Sequence, residues 1–125
     1  SDQLRTAVDQ VRQPFYANWP AQVAATEALR HEDEVTDRVT RTIATRLGLE
    51  DGLRELGLPM AESEANFVWH GLPEGVEERD VVDGLAQRGV LVRAGTALGR
   101  EGWLRVTVGT DAEIARYLAE LRAVL

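Results

Sequence analysis

The chain is 125 residues long, carries a formal net charge of −7 with an isoelectric point near 4.8, and is 44% hydrophobic. That length is most simply one domain, 1–125, able to bury a core of its own, and the acidic balance argues against a nucleic-acid partner, which would need a basic face. No apolar run is long enough to span a bilayer and no signal-peptide pattern opens the chain, so no membrane partner and a cytoplasmic location are expected; the absence of cysteine removes disulfide and thiolate chemistry.

Asp2 can cap a first helix whose Leu4, Ala7, Val8 and Val11 form one apolar stripe, and Pro14 stops it. An irregular connector follows, up to Asn18. A second short helix starts there, with Asn18 as N-cap and Pro20 tolerated in the first turn. The longest helical signal runs from about Glu32 to Leu56. Val35, Val39, Ile43 and Leu47 are spaced by four, then come Leu49, Leu53 and Leu56. Glu34/Arg38, Asp37/Arg41 and Glu50/Arg54 are i, i+4 pairs on a solvated face. Gly48 and Gly52 predict a bend or break, and Gly57 with Pro59 the stop.

The period then changes. Residues 66–70, Asn-Phe-Val-Trp-His, are aromatic and β-branched and predict a strand. A loop from Gly71 to Gly75 leads to a helix with Val81, Val82, Leu85 and Ala86 on one face, ending at Gly89. Val90 to Arg93 reads as a short strand, and 94–102 as a glycine-rich loop. Leu104, Val106 and Val108 then alternate with Trp103, Arg105 and Thr107, the pattern of a strand buried on one face. Gly109 ends it. Thr110 opens the last helix, 111–125, as a capping box with Glu113, and Ile114, Tyr117, Leu118, Leu121 and Leu125 form its stripe. This order predicts an α+β domain: a small sheet of three or four strands with helices packed mainly on one face.

The chemistry on offer is sparse. His31 precedes Glu-Asp-Glu but has no second histidine at metal-binding spacing, so a solvated helix start is the simpler reading and no metal is expected. His70, at a strand end, reads as a surface side chain. No catalytic grouping of Ser, His and Asp is present. All 14 basic residues are arginine, so no side chain can form a Schiff base with an aldehyde cofactor. Arg105 is the informative residue. On a strand whose aliphatics face inward it projects from the other face, where a planar guanidinium clamps carboxylate or phosphate; a local acid is its plain alternative partner. The glycines at 95, 99 and 102 could cradle an anion, weakly by themselves. With Arg93 at the start of that loop and Arg105 just past its end, two guanidiniums reach one edge.

Residues 11–22 (Val-Arg-Gln-Pro-Phe-Tyr-Ala-Asn-Trp-Pro-Ala-Gln), 63–68 (Ser-Glu-Ala-Asn-Phe-Val), 89–93 (Gly-Val-Leu-Val-Arg) and 103–110 (Trp-Leu-Arg-Val-Thr-Val-Gly-Thr) resemble, in order and spacing, the carboxyl-terminal part of histidinol-phosphate aminotransferases. These are pyridoxal-phosphate enzymes of fold type I, class II, and the resemblance covers essentially the whole chain. It implies the small domain of a homodimeric transaminase of histidine biosynthesis, with glutamate as amino donor. It also implies substrate-binding roles for Arg105, on the carboxylate or phosphate end of the substrate, and for Arg93 near the phosphate. Asn66, Asn18 and Tyr16 become possible site-lining residues. Tyr16 and Trp19 depart from the Asn-Val-Asn usual in the connector, so relatives acting on aromatic amino acids or decarboxylating threonine phosphate stay open. The large domain, which in the family carries the Schiff-base lysine and most cofactor contacts, precedes this region and is absent from this sequence. No catalytic or cofactor-binding residue is therefore expected here, and the isolated chain should be inactive. One sheet face should be apolar or carry unpaired arginines where the large domain would cover it. The alternative reading is a stand-alone, non-catalytic anion-binding or interaction module derived from the same fold.

Overall fold

A computed structural model describes residues 2–11 and 17–125. They fall into two compact units, 1–36 and 37–125. The first holds α1 (Asp2–Val11), α2 (Trp19–Ala28) and the start of α3 (Glu32–Glu55). Asn18 caps α2 as expected: its Oδ1 accepts the Ala21 N–H at 2.9 Å, and Pro20 occupies the first turn. The stripe of α1 forms, but Leu4, Val8 and Val11 stay exposed. Pro14 and Tyr16 lie outside the described residues.

In the second unit α3 continues unbroken through Gly48 and Gly52. Packing overrides propensity here. Leu49 and Leu53 are fully buried beside the glycines, and a Cβ on Gly52 would lie 2.3 Å from Leu118 Cδ1 of the last helix. The expected ion pairs are partly redistributed: Asp37 pairs with Arg41, but Glu50 pairs with Arg46 at 3.4 Å and Arg54 turns to Asp51.

The remaining elements are β1 (Phe67–Gly71), α4 (Glu78–Gln87), β2 (Arg93–Ala94), a 3-10 turn (Thr96–Leu98), β3 (Trp103–Thr107) and α5 (Asp111–Val124). The sheet order is β1-β3-β2, with β3 central and antiparallel to both neighbours. The fold is α+β, as the pattern of elements predicts. Leu49 and Leu53 of α3, Val81 and Leu85 of α4, and Ile114, Tyr117 and Leu121 of α5 share one core with Val68, Leu104 and Val106. These three helices thus cover one face of the sheet. Thr110 and Glu113 form the expected capping box.

β2 is shorter than the sequence suggests, and the reason is local. Gly89, at φ +74°, closes α4, with its N–H donating to the Ala86 carbonyl at 2.9 Å and the Val90 N–H donating to the Leu85 carbonyl at 2.9 Å. This helix-terminating motif takes up the Val90 amide that a longer strand would have needed.

Candidate anion-binding site

Alternation along β3 sends Leu104 and Val106 into the core and leaves Trp103 and Arg105 half-buried on the opposite face. β1 does the same with Val68 and His70 inward, Phe67 and Trp69 outward. The outer face is therefore aromatic and cationic. Trp69 and Trp103 stack with ring centroids 5.7 Å apart, Arg100 lies 3.7 Å over the Trp103 ring, and Arg105 lies 5.4 Å from the Phe67 centroid.

Arg93 and Arg105 are direct register partners across β2 and β3, and Trp69 is the partner of Arg105 on β1. Residues opposite one another in an antiparallel pair project from the same face, so one row reads Arg93, Arg105, Trp69. Among the described residues neither arginine has a carboxylate partner. Arg105 Nε is buried with no hydrogen-bond acceptor, where the great majority of buried polar atoms have a partner. An anion at this row would meet two guanidiniums with donors to spare.

Two open grooves in this unit are lined by other residues: one by Arg38, Arg41, Thr45 and Asp111 among others, the second by Val90, Val92, Glu113 and Tyr117 among others. Neither includes the arginine pair. Asn66 stands one residue before β1 with its side chain exposed, and its carbonyl accepts the Val108 N–H at 2.8 Å. Asn18 serves as the α2 cap in the other unit, and Tyr16 lies outside the described residues.

Two residues take roles that the sequence analysis does not assign. His70 is not at the surface; it is fully buried. Its Nε2 lies 2.6 Å from the Tyr117 hydroxyl and its Nδ1 3.0 Å from the Gly71 carbonyl, so Nδ1 carries the proton and Nε2 accepts from Tyr117. Burial holds the imidazole below its ordinary value against the opposing pull of the Gly71 carbonyl. The signal was present: period-two alternation puts His70 on the same face as Val68. Glu78 is the second, only 7% exposed and without a cationic partner among the described residues. One carboxylate oxygen accepts the Gly102 N–H at 2.7 Å and the Trp103 N–H at 3.3 Å, while the other accepts Thr96 N–H at 3.1 Å. Burial alone would raise this carboxyl, yet these N–H donors outweigh it and hold it below the usual range. The glycine-rich loop is thus an anion nest, and its anion comes from the chain itself.

Those observations also bear on pyridoxal phosphate. The chain has no lysine to bond the aldehyde, and the nest that might have cradled a phosphate is filled by Glu78. The residues here do not fit that cofactor. His31 contacts Glu27 at 3.2 Å and Glu34 at 3.4 Å on the surface, and no cluster of three or more metal-ligating side chains is found among the described residues.

The sequence matches the family model of aminotransferase class I and II over residues 1–121. It is 36% identical to histidinol-phosphate aminotransferase 2 of Carboxydothermus hydrogenoformans, over 99% of this chain and 34% of that protein. It is 40% identical to histidinol-phosphate aminotransferase 3 of Burkholderia lata, over 95% of this chain and 31% of that protein. The crystal structure of the histidinol-phosphate aminotransferase from Clostridium acetobutylicum matches with a TM-score of 0.76 over 99% of this chain and 38% of that one; at 18% identity this is a likeness of fold alone. The chain spans about a third of the length of the curated relatives it matches. With nearly every residue inside the family match, the chain belongs to the aminotransferase class I and II family.

Proposed function

We propose that this chain is the small-domain portion of a histidinol-phosphate aminotransferase-type transaminase, in which Arg105 and Arg93 hold the anionic end of the substrate. The observation that carries the reading is their register pairing on one sheet face, with no carboxylate partner for either among the described residues. Like charges directly opposite one another cost stability, and a bound carboxylate or phosphate removes that cost. Arg105 sits on the central strand with Phe67 and Trp69 on the neighbouring one, which limits its freedom and favours a fixed fork. The relatives' names agree with this choice, since each is named for a phosphate-bearing compound.

In this reading the chain contributes binding and orientation. Amino transfer is the work of pyridoxal phosphate held by the large domain, which corresponds to the part of the relatives beyond this chain's span. Val35, Val39, Ile43 and Leu47 form an exposed apolar stripe along α3, a surface suited to packing against that domain. The parent enzyme would be a cytoplasmic homodimer using glutamate as amino donor, with Asn66 near the substrate, and the small domain would move over the bound substrate as a lid.

A chimera tests this. The chain replaces the matching third of the Carboxydothermus hydrogenoformans relative, and transamination of histidinol phosphate is assayed with pyridoxal phosphate present. The chimera should be active and the isolated chain inactive. A folded but inert chimera would sink the proposal, as would transamination by the chain alone.

A further inference from the structure

A strand of two residues is too short to hold its own pairing, yet β2 carries one member of the arginine pair. Upstream, Val90 and Val92 pack against the core, but the Val90 amide is committed to the end of α4 and Leu91 is exposed, so no further strand pairing comes from that side. The hydrogen-bonded hold on β2 beyond its own two pairs comes from the other side, the loop 95–102. That loop is tied at both ends by one side chain. Thr96, just after β2, and Gly102 and Trp103, at the entry to β3, all donate their N–H groups to Glu78. The Gly95 N–H adds a bond to the Trp103 carbonyl at 2.7 Å, and a Cβ on Gly95 would lie 2.2 Å from the Arg100 oxygen and 2.4 Å from that of Trp103. The loop ends are therefore drawn together around a buried carboxylate that no cation neutralises among the described residues.

We infer that Glu78 is the positioning residue of the arginine pair: reaching up from the first turn of α4, its carboxylate clasps the β2–β3 loop and keeps Arg93 opposite Arg105. The inference rests on reading that pair as the anion site, and it adds a residue on a different element, behind the sheet, that sets the spacing of the two guanidiniums. A neutral amide at position 78 would turn N–H groups toward N–H donors, opening the loop and freeing β2 while β1 stays paired.

The test compares the wild-type chain, Glu78→Gln and Arg105→Ala by nuclear magnetic resonance. Cross-strand contacts between the Arg93 and Arg105 backbones report the β2–β3 register. Contacts between Val68 and Val106 report β1–β3 as an internal control, and inorganic phosphate is the ligand probe. Glu78→Gln should keep the Val68–Val106 contact, lose the Arg93–Arg105 contact, and bind phosphate about tenfold more weakly. If that variant does not fold, Glu78→Asp, which keeps the charge on a shorter stem, is measured in the same way, and selective loss of the Arg93–Arg105 contact again supports the inference. Retention of that contact with unchanged phosphate affinity overturns it. So does loss of both contacts together in both variants, because Glu78 would then serve the whole sheet. Should Arg105→Ala bind phosphate like the wild type, the anion-site reading itself fails, and the register contacts still decide the role of Glu78.

Discussion

Arg93 and Arg105 stand directly opposite each other across β2 and β3, two positive charges on one sheet face with no acid between them among the described residues. A fold has no use for that arrangement by itself. Arg93→Ala should therefore stabilise the chain, by about 0.2–1 kcal/mol. Urea unfolding checks this. The difference should shrink as phosphate is added, because only the wild type has both guanidiniums to bind it. A destabilised Arg93→Ala would mean that the pair is relieved by some other contact.

The buried His70–Tyr117 hydrogen bond ties β1 to α5, and Tyr117→Phe leaves Nε2 of His70 with an unmet acceptor. The expected cost is about 1–3 kcal/mol. The same imidazole sets a pH dependence. Its folded value lies below the unfolded value of 6.5, so the unfolded chain takes up the proton first. The stability involved is complete above that unfolded value and is lost as pH falls toward the folded one. Unfolding midpoints measured from about pH 8 downward should decline across this range, and His70→Gln should remove the decline. A midpoint that stays flat in the wild type would contradict the burial assigned to His70.

Two glycine positions should respond in opposite senses. Gly48 is exposed within α3 and a Cβ there meets nothing within 4 Å, so Gly48→Ala should gain about 0.5–1 kcal/mol from helix propensity. Gly95→Ala places its Cβ against two backbone oxygens that cannot move independently. It should lose well over about 1 kcal/mol and loosen the loop. Thermal unfolding of the two variants separates these outcomes, and similar shifts of one sign would count against the tight backbone crossing at Gly95.

Much of the architecture was legible because it is encoded locally. The Thr110–Glu113 capping box, the Asn18 cap and the alternation through Leu104 and Val106 each depend on neighbours a few residues apart. The placement of Arg105 on the outer face followed from that alternation. Arg93 was legible as a neighbour of the loop, but its register opposite Arg105 depends on strand pairing that sequence spacing does not specify. Glu78 carries no signal in the sequence, and the surface reading of His70 fails for a related reason. Their partners lie 24 and 47 residues away, at Gly102 and Tyr117, and nothing in the adjacent sequence marks them. The glycine spacing predicts a possible cradle for an outside anion; the loop does shape a nest, and the occupying carboxylate arrives from Glu78 of α4.

In the function proposed here the arginine row grips the charged end of the substrate. The most direct measurement is steady-state kinetics of the chimera with and without Arg105→Ala, using histidinol phosphate. Loss of a charge-assisted, partly buried contact of this kind costs about 2 kcal/mol or more, so kcat/KM should fall by about 30-fold or more, with Arg93→Ala following in the same direction. A folded Arg105→Ala chimera with wild-type kcat/KM would contradict it.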